Sequence, residues 1–266
     1  MENAEKNSRK LQTIPSLQKD LSELGVKENA VILVHSSLSK IGWVNGGAVG
    51  LIDALINTVT ASGTIVMPTQ SADWSEPSHW QAPPVPEEWW TEIRATMPPY
   101  NSVHTPTRGM GVIPEVFRKY EGVQRSAHPA VSFAAYGKYQ DEILNDQSLD
   151  FGLGEQSPLA RLYDLDAQIL FVGTTYETNT AFHLGEMRAK TGKLIIEGAR
   201  ILEDGQSVWK EYETIDFEDG NFEQMGVQFE KEFLVRQNQI GQANSKLFSL
   251  RDAVDFAKAY YENQDT

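Results

Sequence analysis

Two short apolar runs with one helical stretch between them constrain this chain more than anything else in its sequence. Residues 29–36 read NAVILVHS and residues 63–69 read GTIVMPT. Each is almost uninterrupted apolar sequence, the pattern of a strand covered on both faces. Between them a loop ends in Gly46-Gly47, and residues 48–60 (AVGLIDALINTVT) repeat their apolar side chains at helical spacing. Strand, crossover helix and strand in that order run parallel, because an antiparallel pair would need only a short turn. Residues 167–173 (AQILFVG) begin the same grammar again and lead through a polar turn into a helix predicted from about Thr180 to Ala189.

The C-terminal third changes character. Residues 199–203 (ARILE) and 206–213 (QSVWKEYE) are extended stretches joined at Asp204-Gly205, a dipeptide favoured in tight hairpin turns, and they predict an antiparallel addition to the sheet. Residues 249–262 form an amphipathic helix that Ser249 can cap. The expected architecture is α/β, a mostly parallel central sheet flanked by helices with an antiparallel C-terminal extension, in a single domain over residues 1–266. Residues 72–100 stand apart, with four of the six tryptophans (Trp74, Trp80, Trp89, Trp90) and six prolines. So long a stretch without periodicity reads as a lid or insertion; the alternative is a satellite hydrophobic cluster pinned to the body.

The 266 residues contain no cysteine and carry a formal charge of −14. Disulfides, thiolate metal sites and acylation of an enzyme thiol are thereby excluded, so any acyl thioester must come from a cofactor. The negative field repels nucleic acid and anionic lipid and attracts cations. A small cationic amine suits it as a substrate, though acidity also serves solubility alone. No stretch approaches the roughly 20 apolar residues that span a bilayer. Residues 1–10 (MENAEKNSRK) lack the apolar core of a secretory signal, so a cytoplasmic location and no membrane partner are expected.

In open α/β sheets ligands sit beyond the carboxyl ends of the strands. The tails that converge there are His35-Ser36-Ser37, Thr69-Gln70 and residues 174–186, TTYETNTAFHLGE. The first leads to Gly46-Gly47 and a helix start, whose free N–H groups favour an anion such as a pyrophosphate; plain turn and cap chemistry would use the same glycines. In the third, a helix beginning near Thr180 places His183 in its first turn and Glu186 one turn on, pointing the same way. The helix start disfavours imidazolium, leaving a neutral ring able to accept a proton, with a carboxylate to orient it. A helix-face histidine paired with a surface glutamate has the same spacing. The other histidines (His35, His79, His104, His128) are scattered singly, so no metal site is expected.

Six stretches in order resemble the aminoglycoside 3-N-acetyltransferase family over residues 15 to 260: VHSSLSKIGWVNGG, GTIVMPT, TPTRGMGVIPEVFR, RSAHPAVS, GEQSPLARL and NTAFHLGE. The resemblance implies an α/β fold that is not GNAT-like and direct acetyl transfer from acetyl-CoA to an amine. Carried over by motif, Ser36, Ser37 and Leu38 with Gly46 and Gly47 would hold the coenzyme A phosphates and pantetheine arm. Thr69, Thr107, Arg108 and Gly111 would line the same channel. His183 would be the general base, Glu186 its carboxylate partner or a site for the cationic acceptor, and Thr180 a donor near the thioester carbonyl. Two other readings stay open: an amide hydrolase using His183 and Glu186, and a saccharide-binding module built on exposed tryptophans. A homodimer is the default assembly, as the commonest closed symmetry.

Overall fold

The structure is a computed structural model describing residues 10–264. The polar stretch read at residues 1–10 therefore lies outside the described residues, apart from Lys10. Helix α1 (Ile14–Leu24) starts at a capping box in which Thr13 accepts the Ser16 N–H and Ser16 accepts the Thr13 N–H. It stops at Gly25, whose φ of 113° only glycine adopts freely. Its inward stripe is Leu17, Leu21 and Leu24. The predicted β-loop-α-β unit follows: β1 (Val31–Ser36), α2 (Ala48–Val59) and β2 (Thr64–Pro68).

The Trp-rich segment then makes two 3₁₀ turns and α3 (Trp90–Thr96) before α4 (Val112–Phe117). Next come β3 (Gln124–Arg125), β4 (Phe133–Gly137), α5 (Gln140–Leu144), α6 (Pro158–Asp164), β5 (Gln168–Val172) and α7 (Ala181–Ala189). The chain ends in a hairpin of β6 (Leu194–Glu203) and β7 (Gln206–Ile215), then α8 (Phe222–Glu232), β8 (Arg236–Ile240), β9 (Ala243–Ser249) and α9 (Leu250–Gln264). Ser249 caps α9 by accepting the Asp252 N–H at 3.2 Å.

Among the described residues, seven strands form one sheet in the order β3-β4-β2-β1-β5-β9-β8. Its centre is parallel, with Leu33 of β1 opposite Val66 of β2 and Ile169 of β5. Antiparallel strands extend it on both sides, β4 from β2 and β9 from β5. The C-terminal extension is thus the β8–β9 pair, which periodicity did not reveal because Arg236–Ile240 is almost entirely polar and exposed.

The β6–β7 hairpin corrects the sequence reading: it turns at Asp204-Gly205 as expected but forms its own two-stranded sheet. Glu197, Lys210, Glu211 and Glu213 fall on both of its faces, so neither face could be buried in a helix layer without unpaired charge.

Strand alternation sorts the core. Ile32, Val34 and Met67 pack with α1, α2 and α4 on one side, while Leu33, Val66 and Phe171 pack with the helices α5 to α9 on the other. The second layer holds the site, because α7 belongs to it. There α7 and α9 touch so closely that a Cβ on Gly185 would lie 2.5 Å from Ala257 Cβ and 2.6 Å from the Val254 carbonyl.

Candidate active site

At the carboxyl ends of β1, β2 and β5 lies a cavity of about 250 Å³. The strand tails supply His35, Ser36, Gln70 and Thr174, and the start of α7 supplies Thr180 and His183. The helix begins one residue after Thr180, whose side chain makes no capping bond. His183 Nδ1 is 3.1 Å from Glu186 Oε2, and its ring meets Phe217 and Phe222 at centroid distances of 4.6 and 4.8 Å. With Nδ1 engaged, Nε2 is the nitrogen left for the cavity. Glu186 is 2% exposed and accepts the Glu218 N–H at Oε1, 3.0 Å away. A carboxylate held at both oxygens can orient the ring and stabilise the charge it acquires on taking a proton.

The residues assigned to coenzyme A fall into two groups. Ser36 lines the cavity with its Oγ buried and without a partner, and Thr69, on the tail of β2, also leaves its Oγ1 buried and unpartnered. Ser37 gives its N–H to Val172, and Leu38 opens a single helical turn, Leu38–Ile41. Gly46 and Gly47 have φ of 80° and 58° at the start of α2, with nothing within 4 Å of a Cβ on Gly47.

Thr107 donates its N–H and hydroxyl to Glu115 Oε2, at 3.0 and 2.8 Å, so its polar groups are spent within the loop. Arg108 gives its N–H to Gln70, and Gly111 starts α4 with φ 82°. Of these residues the structure puts only Ser36 in the wall of the His183 cavity; next to Arg108 and Gly111, Gly109 and Met110 line it instead. Asp219 and Phe222 line it too, and sequence reasoning missed both. They arrive from beyond the hairpin, and no local pattern marks them.

The Trp-rich segment is pinned to the hairpin. Glu76 N–H donates to Glu197 Oε2 (3.0 Å), His79 Nδ1 lies 2.8 Å from Glu197 Oε1, and Tyr100 N–H donates to the Arg200 carbonyl (2.8 Å). It also meets Arg108, which donates to the Ala82 carbonyl at 3.4 Å and is the neighbour of the cavity-lining Gly109. A wider cleft of about 1190 Å³ opens at the far end of α7, where Arg188 is paired with Glu155 and stacked 4.1 Å over Tyr163. His183 takes no part in it.

The family model for aminoglycoside 3-N-acetyltransferases matches residues 33–262. The chain belongs to this family. The SPbeta prophage-derived aminoglycoside N(3')-acetyltransferase-like protein YokD of Bacillus subtilis (strain 168) is 51% identical over 96% of this chain and 94% of its own. The crystal structure of YokD matches with a TM-score of 0.98 at 49% identity, over 100% of this chain and 98% of that one.

More distant acetyltransferase folds are equally complete. AAC-IIIb, solved as a binary complex with CoASH, has a TM-score of 0.85 at 28% identity and covers 96% of this chain and 98% of its own. AAC-VIa, solved bound to sisomicin, has a TM-score of 0.84 at 26% identity, with coverage of 96% and 99%. This aminoglycoside acetyltransferase fold is the α/β, non-GNAT architecture that the resemblance implied. The hydrolase and saccharide-module readings find no support among these relatives.

Proposed function

We propose that this acetyltransferase moves the acetyl group of acetyl-CoA directly to an amine of an aminoglycoside or a related cationic amino sugar, conferring resistance where that acceptor is an antibiotic. The observation that carries the reading is His183, backed by the buried Glu186, in a cavity at the strand tails. AAC-IIIb with CoASH and AAC-VIa with sisomicin support the donor and the acceptor class. The residues here fit a coenzyme A thioester: Ser36 Oγ and Thr69 Oγ1 are buried without partners, and α2 starts at Gly47 with open space where a side chain would stand. Ser37, Leu38, Thr107, Arg108 and Gly111 extend that proposed channel.

An acceptor amine reaches the site mostly as ammonium and first loses a proton to water. Its nitrogen attacks the thioester carbon while His183 Nε2 takes the second proton, and Glu186 holds the imidazolium that results. The C–S bond then breaks with its electron pair on sulfur, which recovers the proton from His183. Thr180, at the cavity wall, is a proposed donor near the carbonyl. Glu177 and Asp219 add negative charge to the walls, favouring a cation.

Among the described residues no helix is long and apolar enough to cross a membrane. The proposed location is the cytoplasm, where acetyl-CoA is available, and the proposed assembly is a homodimer. Incubation with acetyl-CoA and a panel of amines tests the reading. Acceptor-dependent release of free thiol is expected; no release with any amine would overturn it.

A further inference from the structure

Polar atoms that are buried and lack a hydrogen-bond partner gather at one end of the sheet: His35 Nε2, Ser36 Oγ, Thr69 Oγ1 and both amide atoms of Asn179. Folded proteins leave few such atoms, and a cluster of them at strand tails calls for a polar guest. Strand alternation divides the set. Ser36 follows Val34 and Thr69 follows Met67 onto the α2 side, whereas His35 follows Leu33 onto the α7 side, with its ring edge-on to Phe171 at 5.5 Å. His35 and His183 therefore share one layer and line one cavity. Yet His35 is 7% exposed and is held by apolar contact rather than by a carboxylate.

We infer that His35 is a second catalytic imidazole, an uncharged hydrogen-bond donor to the carbonyl oxygen of the acyl group during transfer. This rests on the acetyl-transfer reading above. Burial pushes the His35 ring down to about 3, so it stays neutral at any working pH and has one N–H to give. When the amine nitrogen bonds to the acyl carbon, the carbonyl π pair moves onto oxygen. When that pair returns, C–S breaks and sulfur takes the proton held by His183. His35 gives a hydrogen bond throughout and no proton, as a neutral imidazole polarises a carbonyl elsewhere. A dry site makes such a donor stronger than it would be in water.

The test compares His35→Phe and His35→Leu, which remove the donor, with His35→Gln, which restores an N–H. Loss of one oxyanion donor costs roughly 10²–10³ in kcat. The apolar variants should lose that much, with coenzyme A affinity within about twofold of wild type, and His35→Gln should recover at least about tenfold. A folded His35→Phe or His35→Leu enzyme with kcat within about threefold of wild type, or a His35→Gln enzyme no better than they are, overturns the inference.

Should neither apolar variant fold, nitrogen-15 NMR of the wild-type protein carries the test. The His35 side-chain resonance should move with acetyl-CoA but not with S-ethyl-CoA, which lacks the carbonyl. An unmoved resonance overturns the inference. Failure of the wild type to acetylate any amine would instead remove the underlying reading, so the two failures are distinguishable.

Discussion

His183 Nδ1 faces Glu186 Oε2 at 3.1 Å, across one turn of α7, and Glu186 is tied at its other oxygen to the Glu218 N–H. Glu218 follows β7 and lies 32 residues beyond Glu186. The helix supplies the spacing of the pair, and a distant segment fixes its carboxylate. His183→Ala should lower kcat by roughly 10²–10⁴, the usual worth of a general base, and leave acetyl-CoA affinity nearly unchanged. A variant that kept more than about a third of wild-type kcat would return His183 to a structural role.

Glu186→Gln keeps the shape but removes the negative charge beside His183 Nδ1 that is proposed to stabilise imidazolium. Because Glu186 is 2% exposed, the loss should fall on kcat, roughly tenfold or more, with little change in acceptor KM. Steady-state kinetics against a polyamine acceptor decide it. A rise in KM larger than the fall in kcat would place Glu186 at the acceptor.

Gly47 sits at φ 58° with open space where a side chain would go. Gly47→Val places bulk over the helix start against a backbone conformation that only glycine adopts freely, so circular dichroism first establishes that the variant is folded. Isothermal titration calorimetry should show weakened coenzyme A binding. Unchanged affinity in the folded variant would move the phosphate site away from Gly46-Gly47.

Residues 72–100 meet Arg108, next to the cavity-lining Gly109, and are anchored to the hairpin through Glu197. Shortening the segment should change the ranking of acceptors more than the affinity for acetyl-CoA. Equal losses across all acceptors would identify a satellite cluster whose only work is to hold the hairpin.

His128 is buried, accepts the N–H groups of Ala130 and Val131 at Nδ1, and is pushed down to about 4 by burial. The unfolded chain binds a proton near 6.5 that the folded chain refuses, so stability falls as pH drops from about 6.5 towards 4. His35 adds the same sign down to about 3. Each group should cost about 2 kcal/mol by pH 5. Urea unfolding of His128→Gln at pH 7.5 and 5 should show a smaller difference than wild type; an identical difference would show that His128 does not carry the titration.

Residue order alone made the parallel centre of the sheet legible, together with the end at which its strand tails converge. Continuous apolar runs at 29–36, 63–69 and 167–173 are the pattern of strands buried on both faces, and the tails of parallel strands meet at one end. The spacing of His183 and Glu186 was equally legible, since a helix turn is local geometry. Packing, not residue order, set the β6–β7 hairpin outside the sheet and the polar β8 at its edge. Those outcomes depend on which partner each strand finds, and polar edge strands carry no periodic signal. Packing alone also brought Asp219 and Phe222 to the cavity, gave Glu186 its second hydrogen bond, and left His35 neutral beside Phe171. Burial and long-range contact are properties of the packed chain; residue order fixes them only through the fold.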